Sequence, residues 1–382
     1  MTIIIGGGIG GLTTALALQQ RGIACTVYEA SSEMRTAGAG ISLAPNAMRV
    51  LGDLGVANDV VRSGWRQTGL HVFDAKGRPL SMLDTVAAEA VFGAPHVAIH
   101  RRELHRILAN AVQPGTVHYG WRACGVEPDD GRTAVLFEDG SRVAADCVVV
   151  ADGIGSRLRA AMLPASTPRY AGYTCWRGIA PWSDAGLLPA TETWGPRGRV
   201  GIVPVSATSV YWFAVVDAPA GDATMRSMDV ASLAERFSAY HHPISAIMAA
   251  TPDDALIHGD ISDIAPLDRL VHGNLVLLGD AAHATTPNLG QGACQAIEDA
   301  AVLSTALAES ADIPTALRRY DHTRQRRVAD VITTSRRIGA IAQTTNPVAA
   351  VLRDTIVRWT PPGVSMRRLA RFYDQAHLVL AP

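Results

Sequence analysis

A chain of 382 residues is well over twice the ~150 residues of an ordinary domain, so two domains are expected within it. Apolar residues at 48% and charged residues at 18% supply a large core and exclude a disordered chain. The 34 basic and 35 acidic residues leave a net charge of −1, which excludes long-range attraction to nucleic acid or an anionic membrane. Five scattered cysteines (Cys25, Cys124, Cys147, Cys175 and Cys294) form no C-x-x-C pair, so neither a disulfide framework nor a metal site is expected. The N-terminus lacks the basic start of a secretion signal, and no stretch approaches the ~18 uninterrupted apolar residues of a membrane span. A cytoplasmic protein is the expectation.

The opening carries the strongest local signal. Thr2 to Ile5 reads as a short β-branched strand, followed by Gly6-Gly7-Gly8-Ile9-Gly10-Gly11, a helix from about Leu12 to Arg21, and a strand from Cys25 to Glu29. Strand, glycine turn, helix and strand ending on an acid make the dinucleotide-binding βαβ pattern. The glycines differ in what they permit. Gly6 allows the tight turn, Gly8 lets backbone approach a pyrophosphate, and Gly11 lets helix pack on strand. The helix N-terminus offers free N–H groups to phosphates, and Glu29 stands where a carboxylate can accept from ribose hydroxyls.

Gly38 to Gly40 and a helix from Asn46 to Leu54 read as a loop returning toward that nucleotide. Residues Gly69 to Ala98 alternate weakly around a turn at Asp74 to Pro79 and suggest a hairpin; Arg101 to Ala111 is a helix. Val117–Val126, Ala134–Glu138 and Arg142–Ala144 suggest a three-stranded meander, and Cys147 to Val150 a buried strand. From about Pro164 to Pro266, Trp176, Trp182, Trp194 and Trp212 account for four of the seven tryptophans, with β-like runs at Tyr173–Ile179, Arg199–Pro204 and Val210–Val216. An antiparallel sheet with aromatic faces is expected there, as core or as the wall of an apolar pocket. Leu275 to Leu278 is another buried strand, and helices start near Gly292 and at Pro314. The expected division is 1–68, 99–164 and 267–342 for a discontinuous nucleotide-binding domain, 69–98 and 165–266 for the sheet domain, and 343–382 for C-terminal helices.

Three distant segments share one logic: Gly6 to Gly11 with Glu29, Asp152-Gly153-Ile-Gly-Ser156-Arg-Leu-Arg159, and Gly279-Asp280 through Pro287-Asn-Leu-Gly290-Gln-Gly292. Together they resemble the group A, single-component flavoprotein monooxygenases. The resemblance covers nearly the whole chain. It implies an α/β protein of p-hydroxybenzoate hydroxylase-like fold, with a Rossmann-type FAD-binding domain, an interleaved antiparallel substrate sheet and C-terminal helices. It also implies non-covalent FAD, with Asp280 on the ribityl chain and Arg101 on the pyrophosphate. Asp152 and Gly153 would serve both FAD and the reduced nicotinamide, and Gly290, Gly292 and Ala293 would set backbone N–H groups against the flavin pyrimidine. His283 reads as a packed structural histidine.

One complete nucleotide fingerprint is present, so NADH or NADPH would act as a co-substrate without a Rossmann domain of its own. The resemblance implies that O2 then adds at the flavin C4a position and that the hydroperoxide passes one oxygen atom to a small aromatic or heteroaromatic substrate. A narrower likeness, Gly198 to Pro204 followed by Val210 to Phe213, is similar to FAD-dependent urate hydroxylases and implies substrate-site roles for Arg199 and Tyr211. Where those enzymes carry an aspartate after the loop proline, Pro287 is followed by Asn288, an amide that cannot take a proton. Asparagine there, with Tyr173-Thr-Cys175, is also similar to zeaxanthin epoxidases. An epoxidase or decarboxylative hydroxylase, a flavin-dependent reductase, and a flavin-binding protein without turnover therefore remain alternatives. Monomer and homodimer are both open.

Overall fold

The computed structural model describes residues 1–33 and 38–374. A six-stranded sheet runs in the order Val271–His272, Leu275–Leu277, Cys147–Val150, Thr2–Ile5, Cys25–Glu29, Val117–Tyr119. All of its pairings are parallel except that of Val271–His272. Ile3, Ile4, Val148, Val149, Val150 and Val276 are buried, because a parallel sheet covered on both faces takes continuous apolar runs. The helix Ile9–Gln20 crosses over between the first two strands and packs on the helix Gly292–Glu309.

A second, seven-stranded sheet has the order Ile257–Asp263, Arg169–Pro181, Ser209–Asp217, Gly198–Ser206, Ala190–Gly195, Gly69–Asp74, Pro79–Asp84. Its faces follow the strand period of two. Trp176, Ala180, Val200, Ile202, Trp212 and Ala214 join one core with the helices around Leu233 and Ile247. The opposite face carries Tyr173, Cys175, Arg177, Arg199, Tyr211 and Phe213, cross-strand neighbours in one register. That face looks toward the strand Gly40–Leu43 and the turn Pro287–Leu289, since Tyr211 lies against Gly40 and Asn288 bonds the Tyr173 hydroxyl.

Three expectations are corrected. The hairpin ends at Asp84 rather than Ala98. Asp84 caps a helix, Thr85–Phe92, by accepting from the N–H groups of Val86 and Ala87, and Gly93 ends it at φ 72°. The weak alternation hid an alanine-rich helix with both stop signals. After it, Val97–His100 pairs with Gly40–Leu43 in a separate small sheet. The run from Val117 divides at Gly120 (φ 80°), so Val117–Tyr119 extends the parallel sheet while Ala123–Asp129, Arg132–Phe137 and Arg142–Ala145 form the meander. Finally, the first helix starts at Ile9 rather than Leu12, which places Gly11 inside its first turn. Helices Ile313–Ala342, Pro347–Trp359 and Pro362–Tyr373 follow. Among the described residues no helix is long and apolar enough to cross a membrane.

Candidate active site: a glycine-lined groove beside an aromatic sheet face

Three loops meet at the C-terminal ends of Thr2–Ile5, Cys147–Val150 and Leu275–Leu277, the edge where open parallel sheets bind ligands. Their glycines divide into two kinds. A Cβ on Gly11 would sit 1.9 Å from the Gly6 carbonyl oxygen, and one on Gly6 would sit 2.4 Å from that of Ala151. Packing alone demands both. A Cβ on Gly8, Gly153 or Gly290 would meet nothing within 4 Å. These three line open space.

The charged residues of this groove are set by their backbones. Glu29 accepts the Gly7 N–H on Oε2 at 2.7 Å and the Ser31 N–H on Oε1 at 2.8 Å, which ties the acid to the glycine turn. Asp152 follows the strand Cys147–Val150; its Oδ1 is buried without a partner, and burial pushes its carboxyl above the ordinary range. Gly279, at φ 59°, turns the chain so that Asp280 opens the short helix Asp280–His283 and is exposed. Arg101 begins the helix Arg101–Ala111, exposed and packed against Gly38. The turn Pro287–Leu289 leads through Gly290 (φ 62°) to Gly292 and Ala293, the first residues of the long helix. An orphaned carboxylate oxygen, three glycines facing space and a helix N-terminus suit a pyrophosphate-bridged dinucleotide.

A buried charge cluster beneath the groove escaped sequence reasoning. Asp299 accepts from the Gly279 N–H at 2.9 Å and pairs with His283 Nε2 at 2.5 Å. Arg324 donates to Asp299 and to Glu298, both at 2.6 Å, and Arg327 reaches Glu298 from the other side at 2.7 Å. Asn46 closes the cluster onto Glu298 and Gln291. The Coulomb field of His283 and Arg324 overcomes burial and holds the Asp299 carboxyl far below the ordinary range. Two adjacent acids at buried positions among the apolar residues of the helix Gly292–Glu309 were the available signal. His283 is 2% exposed and held by Asp299, in keeping with a structural role.

On the sheet face, Arg199 is 3% exposed and spoken for by protein. It donates to Gln343 Oε1 at 2.5 Å, Glu192 Oε1 at 2.7 Å and Asn288 Oδ1 at 2.9 Å. Asn288 in turn donates to the Tyr173 hydroxyl, the Thr286 hydroxyl and the Ser335 carbonyl at 2.9–3.0 Å. The structure thus brings Arg199, Pro287 and Asn288 together as a cross-brace between the sheet, the Pro287 turn and the helix Ile313–Ala342. Gly339 lets that helix come close: a Cβ there would lie 2.4 Å from Asn288 Nδ2. Tyr211 stands apart from the brace. Its ring fills the space where a Gly40 side chain would be, and burial raises its phenol well above the usual value. Arg177 was not among the residues singled out from sequence; its place on the same face as Tyr211 becomes visible through the cross-strand register alone.

Comparison with known proteins decides the family. The FAD-binding-domain family matches residues 1–335. The chain belongs to this family. It is 39% identical over 357 residues, 93% of each chain, to an aurachin C monooxygenase/isomerase from Stigmatella aurantiaca. It is 37% identical over 342 residues, 88% of each chain, to an FAD-dependent urate hydroxylase from Klebsiella pneumoniae. A Klebsiella pneumoniae protein solved with FAD and uric acid superposes with a TM-score of 0.90 at 33% identity, covering 98% of this chain and 96% of that one. The expected p-hydroxybenzoate hydroxylase-type fold is thereby shown, and the protein is an FAD-dependent flavoprotein monooxygenase.

Proposed function

We propose that this chain uses NAD(P)H and O2 to place one oxygen atom on a small aromatic or heteroaromatic ring held between the groove and the sheet face. The observation that carries the reading is the meeting of the two at Tyr211 and Gly40, where a ligand lining for a dinucleotide adjoins an apolar, aromatic wall. FAD supplies hydride acceptance and oxygen activation when bound. The residues proposed to hold it around the nucleotide are Gly8 with Glu29 and Arg101, on a turn that Gly6 and Gly11 shape by packing. Asp152, Gly153 and Asp280 would take its middle, and Gly290, Gly292 and Ala293 its ring. The helix beginning at Gly292 would offer its unpaired N–H groups and partial positive charge to negative charge on that ring. We assign residues 1–68, 99–164 and 267–342 to the FAD-holding domain, 69–98 and 165–266 to the substrate domain, and 343–374 to the C-terminal helices; 375–382 of the expected span lie outside the described residues.

Tyr211 and Phe213 would orient the substrate plane and keep water from it. Asn288 holds four protein partners and carries no proton-accepting group, so no base is assigned to it. A substrate that needs deprotonation would arrive ionised or be activated by a base other than Asn288. The same feature favours a second reading, epoxidation of an electron-rich double bond, which needs no base. The test is a screen of aromatic compounds and polyenes for stimulated NAD(P)H oxidation, with product masses recorded. Stimulation by an aromatic with gain of one oxygen supports hydroxylation. NAD(P)H oxidation that ignores every compound contradicts both readings.

A further inference from the structure

Eleven large apolar side chains stand exposed among the described residues, and five of them belong to the single helix Pro347–Trp359. They are Val348, Val351, Leu352, Ile356 and Trp359, each 60% to 80% exposed. Apolar side chains left in water forgo the stabilisation of burial, so such a cluster on one element marks a contact surface. The inner side of the helix is already used. Arg353 is buried, donates to the Ala342 carbonyl at 2.8 Å and lies over the Trp194 ring at 4.8 Å. Arg358 leans back to the Pro79 carbonyl, and the helix packs on the strand Pro79–Asp84. With Arg353 turned inward, the helical period sends Val348, Leu352 and Trp359 to the far side. Val348, Leu352, Thr355 and Trp359 recur at steps of four, three and four, the spacing of a seam that meets a second helix. Val351 and Ile356 flank that seam on either side.

The seam is complementary to itself. An antiparallel copy, related by a twofold axis beside the peptide between Arg353 and Asp354, sets Val348 against the partner's Trp359. The same axis sets Val351 against the partner's Ile356 and Leu352 against the partner's Thr355. Arg358 falls opposite the partner's Ala349, so no like charges meet along the seam. The area agrees. The five side chains present apolar surface on the order of 500 Å², near the limit for the largest patch of an ordinary monomer. With a rim of Ala349, Thr355 and Arg358 it approaches the ~800 Å² that each partner gives to a standard interface. A lipid surface suits the helix less well, because an interfacial helix carries basic side chains along its polar flank. Here Arg353 is buried and Arg358 is drawn back toward Asp74.

We propose that the protein is a twofold dimer in which the helices Pro347–Trp359 of two copies pack antiparallel through this face. The inference is independent of the reaction proposed above, since the seam contains none of the residues assigned to FAD or to substrate.

The test is sedimentation equilibrium of the FAD-loaded full chain over about 0.1 to 100 μM. The wild type is expected at twice the mass of one chain, with a dissociation constant of about 1 μM or lower. Leu352→Glu sets a charge into the seam and should raise that constant at least about 30-fold, with flavin content and circular dichroism unchanged. Adding Thr355→Lys to the same chain sets a cation against the partner's altered position 352 and should recover about tenfold. A parallel pair would set like charges together and recover nothing. If Leu352→Glu does not fold, Trp359→Ser carries the test with the same expected weakening. A wild type that stays monomeric throughout overturns the proposal, as does a dimer that these seam variants leave unchanged. A double variant without recovery overturns the antiparallel pairing and with it the proposal. Monomeric protein that instead co-sediments with vesicles of phosphatidylcholine and phosphatidylserine would overturn it in favour of a lipid contact for the same helix.

Discussion

The groove and the sheet face are built in different ways. The groove is shaped by backbone: Gly6 and Gly11 let strand and helix touch, while Gly8, Gly153 and Gly290 leave space. The sheet face is shaped by side chains drawn from remote positions: Arg199 joins Glu192, Asn288 and Gln343, up to 144 residues away. A backbone-built site is written as spacing along the chain and is readable there. A side-chain-built site is written in pairing and register, which no short stretch of sequence contains.

The largest effect should come from the charge cluster under the groove. Arg324→Met removes the cation that Glu298 and Asp299 share in the core, leaving each with one charged partner, Arg327 and His283, and breaking such a buried pair costs about 3–5 kcal/mol. Chemical denaturation should show a loss of that order, together with loss of bound FAD. The same cluster sets an acid limit. Asp299 and Glu298 are both held below their unfolded values, so the stability they contribute is complete above about pH 4–5 and is lost as pH falls below it. Denaturation midpoints measured downward from neutrality should fall in that window. A flat profile would mean that the cluster does not couple to folding.

The glycines sharpen the contrast within the groove itself. Gly11→Ala drives a Cβ into the Gly6 carbonyl and should destabilise the fold by at least the ~1–3 kcal/mol of overpacking. Gly8→Ala meets nothing and its backbone (φ −75°) suits alanine, so stability should hold while FAD content falls. Thermal melts and flavin absorbance of the two purified variants separate these outcomes. Equal flavin loss without destabilisation in both would erase the distinction drawn between packing glycines and space-lining ones.

Single polar contacts come next. Asp152→Ala and Asp280→Ala should each weaken FAD retention by about 1–3 kcal/mol, read as flavin released on dilution. The smallest expected change is at Asn288→Asp. It replaces the amide donor to the Ser335 carbonyl with an acceptor and adds an ion pair to Arg199, so the two effects oppose. A net destabilisation of about 1 kcal/mol is expected, with at most a weak gain of urate-stimulated NADH oxidation. A large gain would make position 288 the determinant of substrate.

Legibility followed the same division. The strands Thr2–Ile5, Cys25–Glu29 and Cys147–Val150 stand where the apolar and β-branched runs put them, because a two-face-covered strand leaves a continuous signature. The short helix Thr85–Phe92 was obscured because eight residues give too few turns for a clear helical period. Nothing beside Arg199 along the chain marks it as braced; its partners Glu192, Asn288 and Gln343 come from a neighbouring strand, the Pro287 turn and the end of the helix Ile313–Ala342. Glu298 and Asp299 looked like any helical acids until Arg324, on the next helix, gave them a reason to be buried.

The central claim is that this flavoprotein transfers one atom of O2 to an aromatic held on the sheet face. Enzyme reduced with NAD(P)H can be mixed with isotopically labelled O2 and whichever aromatic stimulates NAD(P)H oxidation most strongly. The account predicts a product carrying one labelled oxygen atom, formed in step with NAD(P)H consumed. Product without label, or NAD(P)H consumed to labelled hydrogen peroxide with the aromatic recovered unchanged, would contradict it.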